Sequence, residues 1–149
     1  MHVKGARKSM PYSTLEKIKL SFRKKYQQNT CKVLIIDNQE LTSSALTNTL
    51  EKQGFDVASA ECGFKAIEIL TFFPANIVII DCSIAGLNSF KCCECILKID
   101  PAITFIFTCS IYSSELSIEA FKAGGKDILE KPLDENTLFE TINYYINTK

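Results

Sequence analysis

The chain has 149 residues and a mass of 16.7 kDa, which fits a single domain because most domains hold about 100–150 residues. Apolar residues make up 46% and charged residues 23% of the sequence, so a folded core is expected and a disordered or fibrous chain is excluded. No apolar run approaches the roughly 18 residues that a membrane span requires. The basic start of the chain is not followed by an apolar segment of the kind that directs export, so we expect a cytoplasmic protein.

The charges divide the sequence into two parts. Residues 1–30 carry eight basic residues and one acidic residue, a net charge of +7, whereas residues 31–149 carry nine lysines and sixteen acids, a net charge of −7. We therefore predict a basic N-terminal extension over residues 1–30 and a separate domain over residues 31–149. The apolar residues of the extension recur at spacings of three and four, which places them on one face of a helix: Leu15, Ile18, Phe22 and Tyr26.

Two kinds of partner suit such an extension. A partner protein or the acidic body of the chain itself is the favoured interpretation, because the charges are complementary. Nucleic acid or an anionic membrane surface is the alternative, and it is supported by charge but by no recognisable motif.

The sequence contains seven cysteines, an odd number without an export signal, which predicts reduced thiols rather than a disulfide framework. Cys92 and Cys95 have a C-x-x-C spacing, so a zinc or thiol sensor is one hypothesis for this segment. A second pair at metal-site spacing is missing and the sole histidine is His2, in the distant extension. We therefore favour a role for these cysteines as small apolar residues of a helix.

Beyond the extension, short apolar runs alternate with longer amphipathic segments. The pattern predicts strands over residues 32–36, 55–59, 77–80, 103–107 and 127–129, and helices over residues 40–53, 64–73, 88–99, 112–123 and 133–146. The Ile-Val-Ile-Ile run at residues 77–80 is typical of a strand that is covered on both faces. Strands and helices in alternation predict an open parallel sheet with right-handed crossovers and helices on both faces.

Ligands of such sheets bind at the carboxyl ends of the strands, where this sequence has polar residues. Asp37 and Asn38 follow the first strand, Asp81 follows the third, Thr108 ends the fourth and Lys131 follows the fifth. A carboxylate directly after an apolar strand is costly to desolvate unless a cation, a metal or solvent compensates for it.

Two carboxylates at one edge favour a hard divalent cation, and a lysine and a hydroxyl beside them suit a phosphoryl group held on Asp81. The simpler interpretations are a solvated loop acid for Asp81, a helix N-cap for Asp37 and a surface lysine for Lys131.

Four segments together resemble the signature positions of response-regulator receiver domains, the CheY-like superfamily. They are residues 33–40 (VLIIDNQE), 79–81 (IID), 107–108 (FT) and 130–132 (EKP). The resemblance covers residues 31–149. It implies a doubly wound, flavodoxin-like α/β sheet of five parallel strands in the order 2-1-3-4-5, with five flanking helices.

The resemblance also implies a function in two-component signal transduction. Asp81 would accept a phosphoryl group from a histidine kinase or phosphotransfer protein, and Thr108 and Lys131 would contact that group. Mg²⁺ would be bound by Asp37, Asn38, Asp81 and the backbone carbonyl of Ser83.

Three further properties follow from the same resemblance. The protein would not be an enzyme beyond self-phosphotransfer and autodephosphorylation. A downstream protein would bind the fourth helix, the last strand and the fifth helix. The peptide bond between Lys131 and Pro132 is often cis in this family. The cis form is readily accessible only in peptide bonds that precede proline.

The sequence departs from the family at three places. Asn38 stands where a second acid is usual, which predicts weaker Mg²⁺ binding. Ile128 stands where an aromatic residue is usual. Residues 82–89 lack the usual proline and the usual later glycine, which predicts that this loop is more mobile. The departures support an alternative function, a degenerate receiver that binds proteins without phosphorylation. The retained acceptor, threonine and lysine favour phosphorylation.

Overall fold

The computed structural model describes residues 14–15, 31–84 and 88–147. Ten elements alternate along the described body: β1 (Lys32–Ile36), α1 (Glu40–Lys52), β2 (Asp56–Ala60), α2 (Gly63–Leu70), β3 (Ile77–Asp81), α3 (Ser89–Ile99), β4 (Thr104–Cys109), α4 (Ser114–Ala123), β5 (Asp127–Glu130) and α5 (Glu135–Asn147). The predicted alternation of strands and helices is confirmed.

The five strands form one parallel sheet in the order β2-β1-β3-β4-β5. The predicted strand order and flavodoxin-like fold are therefore confirmed. Strand order reverses between β1 and β3, so the polar residues that follow these two strands are brought to the same edge of the sheet.

Side chains that alternate along the strands enter two separate cores. Leu34 and Ile36 of β1 face a cluster that includes residues of α2, α3 and α4. Val33 and Ile35 face the opposite cluster, which includes residues of α1 and α5. All five residues of β3 are buried, as predicted for a strand that is covered on both faces.

Several boundaries differ from the predictions because caps and pairing partners decide them. Helix α2 ends at Leu70, three residues before the predicted end, and Pro74 disfavours helical geometry in the residue before it. Strand β4 extends to Cys109 because Thr108 and Cys109 pair with residues of β5. Helix α4 begins after Ser113, whose hydroxyl accepts a hydrogen bond from the Leu116 amide at 3.1 Å.

Two predictions concern parts of the chain outside the described residues. Apart from Thr14 and Leu15, which are helical, the N-terminal extension lies there, and so do residues 85–87 of the loop after Asp81. The division of the chain at residue 30 stays a prediction. Within the described ranges, no helix is both long and apolar enough to cross a bilayer.

Candidate functional site

The backbone of the sheet brings four of the predicted residues to one rim. Asp81 is paired with Thr108 in the register of β3 and β4. The Asp37 amide donates a hydrogen bond to the Ala60 carbonyl at 3.0 Å, and the Lys131 amide donates one to the Cys109 carbonyl at 2.8 Å. Backbone hydrogen bonds to neighbouring strands thus fix both residues that follow β1 and β5. The peptide bond between Lys131 and Pro132 is cis, as the resemblance implied.

The Lys131 ammonium lies between two buried carboxylates. Its Nζ atom is 2.9 Å from Asp37 Oδ2 and 2.9 Å from Asp81 Oδ1, and it also donates a hydrogen bond to Gln39 Oε1 at 3.3 Å. Asp37 and Asp81 are only 6% and 3% exposed. One ammonium balances only one of the two carboxylates, so the three groups together carry one negative charge at a rim that favours a further cation.

Further hydrogen bonds hold the Asp81 carboxylate in one orientation. The Thr108 hydroxyl donates to Oδ1 at 3.1 Å. The Ser83 amide and hydroxyl both donate to Oδ2, at 3.1 and 2.7 Å. The Ser89 hydroxyl donates to the backbone carbonyl of Asp81 at 2.6 Å. Both carboxylate oxygens of Asp81 are therefore hydrogen-bonded.

These contacts also decide the protonation of the site. Burial by itself raises the pKa of Asp81, but hydrogen bonds from Ser83 and Lys131 outweigh it, and the pKa lies below its ordinary value of 3.8. Burial likewise opposes the charged form of Lys131, but hydrogen bonds to Asp37 and Asp81 hold its pKa above 10.5. At neutral pH the site therefore contains a carboxylate, the form that acts as a nucleophile, beside an ammonium.

The remaining predicted ligands are placed differently. Asn38 is exposed beside the buried Asp37, and its role as a metal ligand stays a prediction. Ser83 contacts Asp81 through its amide and hydroxyl, whereas the role predicted for its backbone carbonyl is not tested.

Two residues of the site were missed from the sequence. Gln39 belongs to the polar run that follows β1, which could have indicated it. Ser89 is the first residue of α3, and no local pattern connects it to the carbonyl of Asp81.

The donor atoms at this rim suit Mg²⁺, although they carry few charges. Carboxylate, amide and carbonyl oxygens are the ligands that Mg²⁺ prefers, and the buried negative charge favours a cation. Within the described ranges, however, no group of three or more histidine, cysteine, aspartate or glutamate side chains is placed to hold a metal. The rim thus offers Mg²⁺ two carboxylates, those of Asp37 and Asp81.

The cysteines of α3 lie in a different environment. Cys92 and Cys93 are both fully buried in the core, and burial raises the pKa of each thiol to about 12. Thiolates, the reactive and metal-binding form, are therefore scarce at neutral pH. Cys95 is half-buried, and no metal-binding group in the described ranges includes these residues. The structure favours the interpretation of Cys92 and Cys93 as small apolar core residues.

Comparison with known proteins defines the class to which this fold and rim belong. The model of the response regulator receiver domain family matches residues 33–143, and the chain belongs to this family. The recognition made from the sequence motifs is confirmed. Receiver domains of two-component systems are generally phosphoacceptors, bind Mg²⁺ at an acidic pocket and interact with histidine kinases or phosphotransfer proteins.

Individual relatives are similar in sequence and in fold. The chemotaxis protein CheY of Thermotoga maritima is 31% identical over 113 residues, which cover 75% of this chain and 94% of that protein. The hybrid signal transduction protein dokA of Dictyostelium discoideum is 27% identical over 91% of this chain, which spans only 8% of that protein's length. A two-component response regulator of Clostridium difficile superposes with a TM-score of 0.76 and 20% identity, over 79% of this chain and 97% of that one.

Proposed function

We propose that this chain accepts a phosphoryl group on Asp81 from a phosphohistidine of a histidine kinase or phosphotransfer protein. The observation that carries the proposal is the buried Asp81 carboxylate, which shares the Lys131 ammonium with Asp37 at 2.9 Å on each side. This arrangement provides a nucleophile, a positive charge and a hydroxyl donor at one rim of the sheet. A nucleophile beside preorganised positive charge and a hydrogen-bond donor is suited to accept a phosphoryl group.

The transfer balances as a displacement at phosphorus. A carboxylate oxygen of Asp81 forms the new P–O bond, the P–N bond to the donor imidazole breaks, and its electron pair remains on that nitrogen, which takes a proton from solvent. Both carboxylate oxygens of Asp81 already accept hydrogen bonds. One of these hydrogen bonds must therefore break before that oxygen can attack phosphorus. Lys131 and Thr108 are then close enough to Asp81 to contact the transferred group.

Asp37, Asn38, Asp81 and the Ser83 backbone carbonyl would hold Mg²⁺ at this rim. When bound, Mg²⁺ supplies positive charge that offsets the negative charge of the phosphoryl oxygens. Because Asn38 contributes an oxygen without a charge, we expect lower Mg²⁺ affinity than in a receiver with a second acid at this position. Phosphorylation should therefore require a higher Mg²⁺ concentration.

Phosphorylation would act by shifting the population of two arrangements of the domain that a downstream protein distinguishes. The surface formed by α4, β5 and α5 is the proposed contact. It carries exposed apolar side chains, among them Ile118 at 54% and Phe121 at 76% exposure on α4. The chain would catalyse no reaction beyond self-phosphotransfer and autodephosphorylation, and its place would be the cytoplasm, where thiols stay reduced.

A labelling experiment tests the proposal. The full chain is incubated with a small-molecule phosphodonor, acetyl phosphate, and MgCl₂, and intact-mass spectrometry measures the addition of one phosphoryl group. We expect labelling of the natural chain and none of Asp81→Asn, because an amide does not attack phosphorus. The control is Asp56→Asn, which changes a half-exposed acid away from the site and should keep full labelling. Equal labelling of both variants would refute the assignment of Asp81.

A second candidate function is a degenerate receiver that binds its partner without phosphorylation. It is favoured by Asn38 in place of a second acid and by Ile128, a half-buried aliphatic residue that packs against the core where the family has an aromatic ring. This function predicts no labelling at any Mg²⁺ concentration and partner binding that is unchanged by Asp81→Asn. Labelling of the natural chain would exclude it.

A further inference from the structure

A groove separates α1 from α5 on one face of the sheet. It encloses about 620 Å³, and most of its lining is apolar or small, including Leu41, Ala45, Leu46 and Thr49 of α1 and Leu138 of α5. At the carboxyl edge of the sheet the groove reaches Gln39 and Lys131 of the candidate site. We call this surface the α1–α5 groove.

The α1–α5 groove exposes apolar surface within the described residues. Leu41, in the first turn of α1 and at the edge of the groove, is 88% exposed. Together with the apolar lining of the groove, Leu41 offers a surface on which another segment or protein can pack.

The chain enters the folded body on the same face as this groove. Cys31, the residue before β1, packs against the core cluster that also contains Leu46 of α1 and Leu138 of α5. The segment that precedes Cys31 therefore starts on the same face of the sheet as the groove.

A helix over residues 14–26 would also match α1 and α5 in length and direction. Helices α1 and α5 have 13 residues each and run from the carboxyl edge of the sheet to the opposite edge, where β1 begins. A helix over residues 14–26 would have about the same length, roughly 20 Å. The connection over residues 27–30 can span up to about 14 Å. Such a helix could lie between α1 and α5, with Leu15 near the candidate site and Tyr26 near Cys31.

The net charges of the N-terminal extension and of the remainder of the chain are opposite in sign. The segment over residues 1–30 has a net charge of +7 and the remainder −7. Four acids on α1 and α5 are exposed, Glu40, Glu51, Glu135 and Glu140, against a single lysine on these two helices, Lys52. A basic helix with one apolar face could therefore place that face in the groove and its lysines near these acids.

We propose that residues 14–26 dock in the α1–α5 groove as an amphipathic helix of the same chain. The side chains that face the groove are Ile18, Phe22 and Tyr26 of the apolar stripe, whereas Leu15, which is 43% exposed, lies at the outer end of the helix. Because Gln39 and Lys131 line one end of the groove, the docked helix borders the candidate site. This proposal does not depend on phosphorylation of Asp81.

A fluorescence experiment on the full chain tests the docking. The sequence contains no tryptophan, so Phe22→Trp introduces a single reporter. Ala45→Arg, at an exposed position that lines the groove, should obstruct docking and shift the emission of Trp to longer wavelength. The matched control is Ser44→Arg, an exposed neighbour on α1 that does not line the groove and adds the same charge. The control should leave the emission unchanged.

Other outcomes would overturn the proposal. If Ala45→Arg and Ser44→Arg had the same emission, the reporter would not occupy the groove. If the shift depended on protein concentration, the occupant would be a second copy. If the emission changed only on addition of duplex DNA or anionic phosphatidylserine vesicles, the extension would serve an external partner.

A second pair of variants approaches the docking from the extension. Ile18→Asp places a charge on the predicted apolar face, whereas Ser21→Asp adds the same charge elsewhere on the segment. Amide hydrogen exchange in α1 and α5 should become faster in Ile18→Asp and stay unchanged in Ser21→Asp, because loss of the docked helix exposes the groove. Unchanged exchange in both would refute the docking, whatever the result of phosphoryl labelling.

Discussion

The acidic rim of the sheet and the cysteine-rich helix α3 are both clusters of ionisable side chains, but they are assembled differently. At the rim, Asp37, Asp81 and Lys131 come from the ends of three strands and meet within hydrogen-bonding distance. In α3, Cys92 and Cys93 are neighbours in sequence and are enclosed by the core. Closeness in sequence therefore does not by itself make a functional site. At the rim, residues that are distant in sequence converge at one edge of the sheet.

The comparison predicts that removing a charge matters far more at the rim than on α3. Lys131→Met would leave two neighbouring buried carboxylates without their cation, and we expect a loss of about 3 kcal/mol in the free energy of unfolding at neutral pH. Lys91→Met is the control, because Lys91 pairs with Glu94 on the surface of α3 at 3.6 Å and should cost at most about 1 kcal/mol. Urea denaturation measures both.

A double variant sharpens this prediction. If repulsion between the carboxylates causes the loss, adding Asp81→Asn to Lys131→Met should recover part of it, because one charge is then removed. Equal losses for Lys131→Met and Lys91→Met would show that the rim does not depend on the shared ammonium.

On α3 the prediction concerns burial rather than charge. Cys92→Ser places a hydroxyl in a fully buried position and should cost about 1–3 kcal/mol in the free energy of unfolding. Cys95→Ser, at a half-buried position, should cost less.

The thiol chemistry of α3 provides a separate check. Cys92 should resist a thiol reagent in the folded protein and react after unfolding, because burial holds its pKa near 12. Zinc bound to the natural protein and lost in Cys92→Ser with Cys95→Ser would instead support the sensor hypothesis and remove the contrast with the rim.

The smallest predicted effect appears in acid. Because the folded-state pKa of Asp81 lies below 3.8, its ionisation contributes stability above that pH, and this contribution is lost as the pH falls through the folded-state pKa. The difference in unfolding free energy between the natural chain and Asp81→Asn should therefore shift in favour of the variant as the pH falls from about 5 to about 2. A difference that is independent of pH would contradict the depressed pKa.

Much of the fold and part of the site could be predicted from the sequence. The alternation of short apolar runs with amphipathic segments is a local property, and so are the polar residues at strand ends. Asp37, Asp81, Thr108 and Lys131 were identified in this way and lie together in the structure. The end of β4 was predicted too early, because Cys109 belongs to that strand through its pairing with Glu130.

By itself the sequence determined which side chains stand at the ends of the strands, because hydrophobic periodicity shows where each strand stops. Only the tertiary structure decided that Lys131 is shared by two carboxylates, that Ser89 binds the Asp81 carbonyl and that a groove separates α1 from α5. Lys131 and Asp37 are 94 positions apart, and no local pattern encodes the distance between them. Strand order and register set that distance.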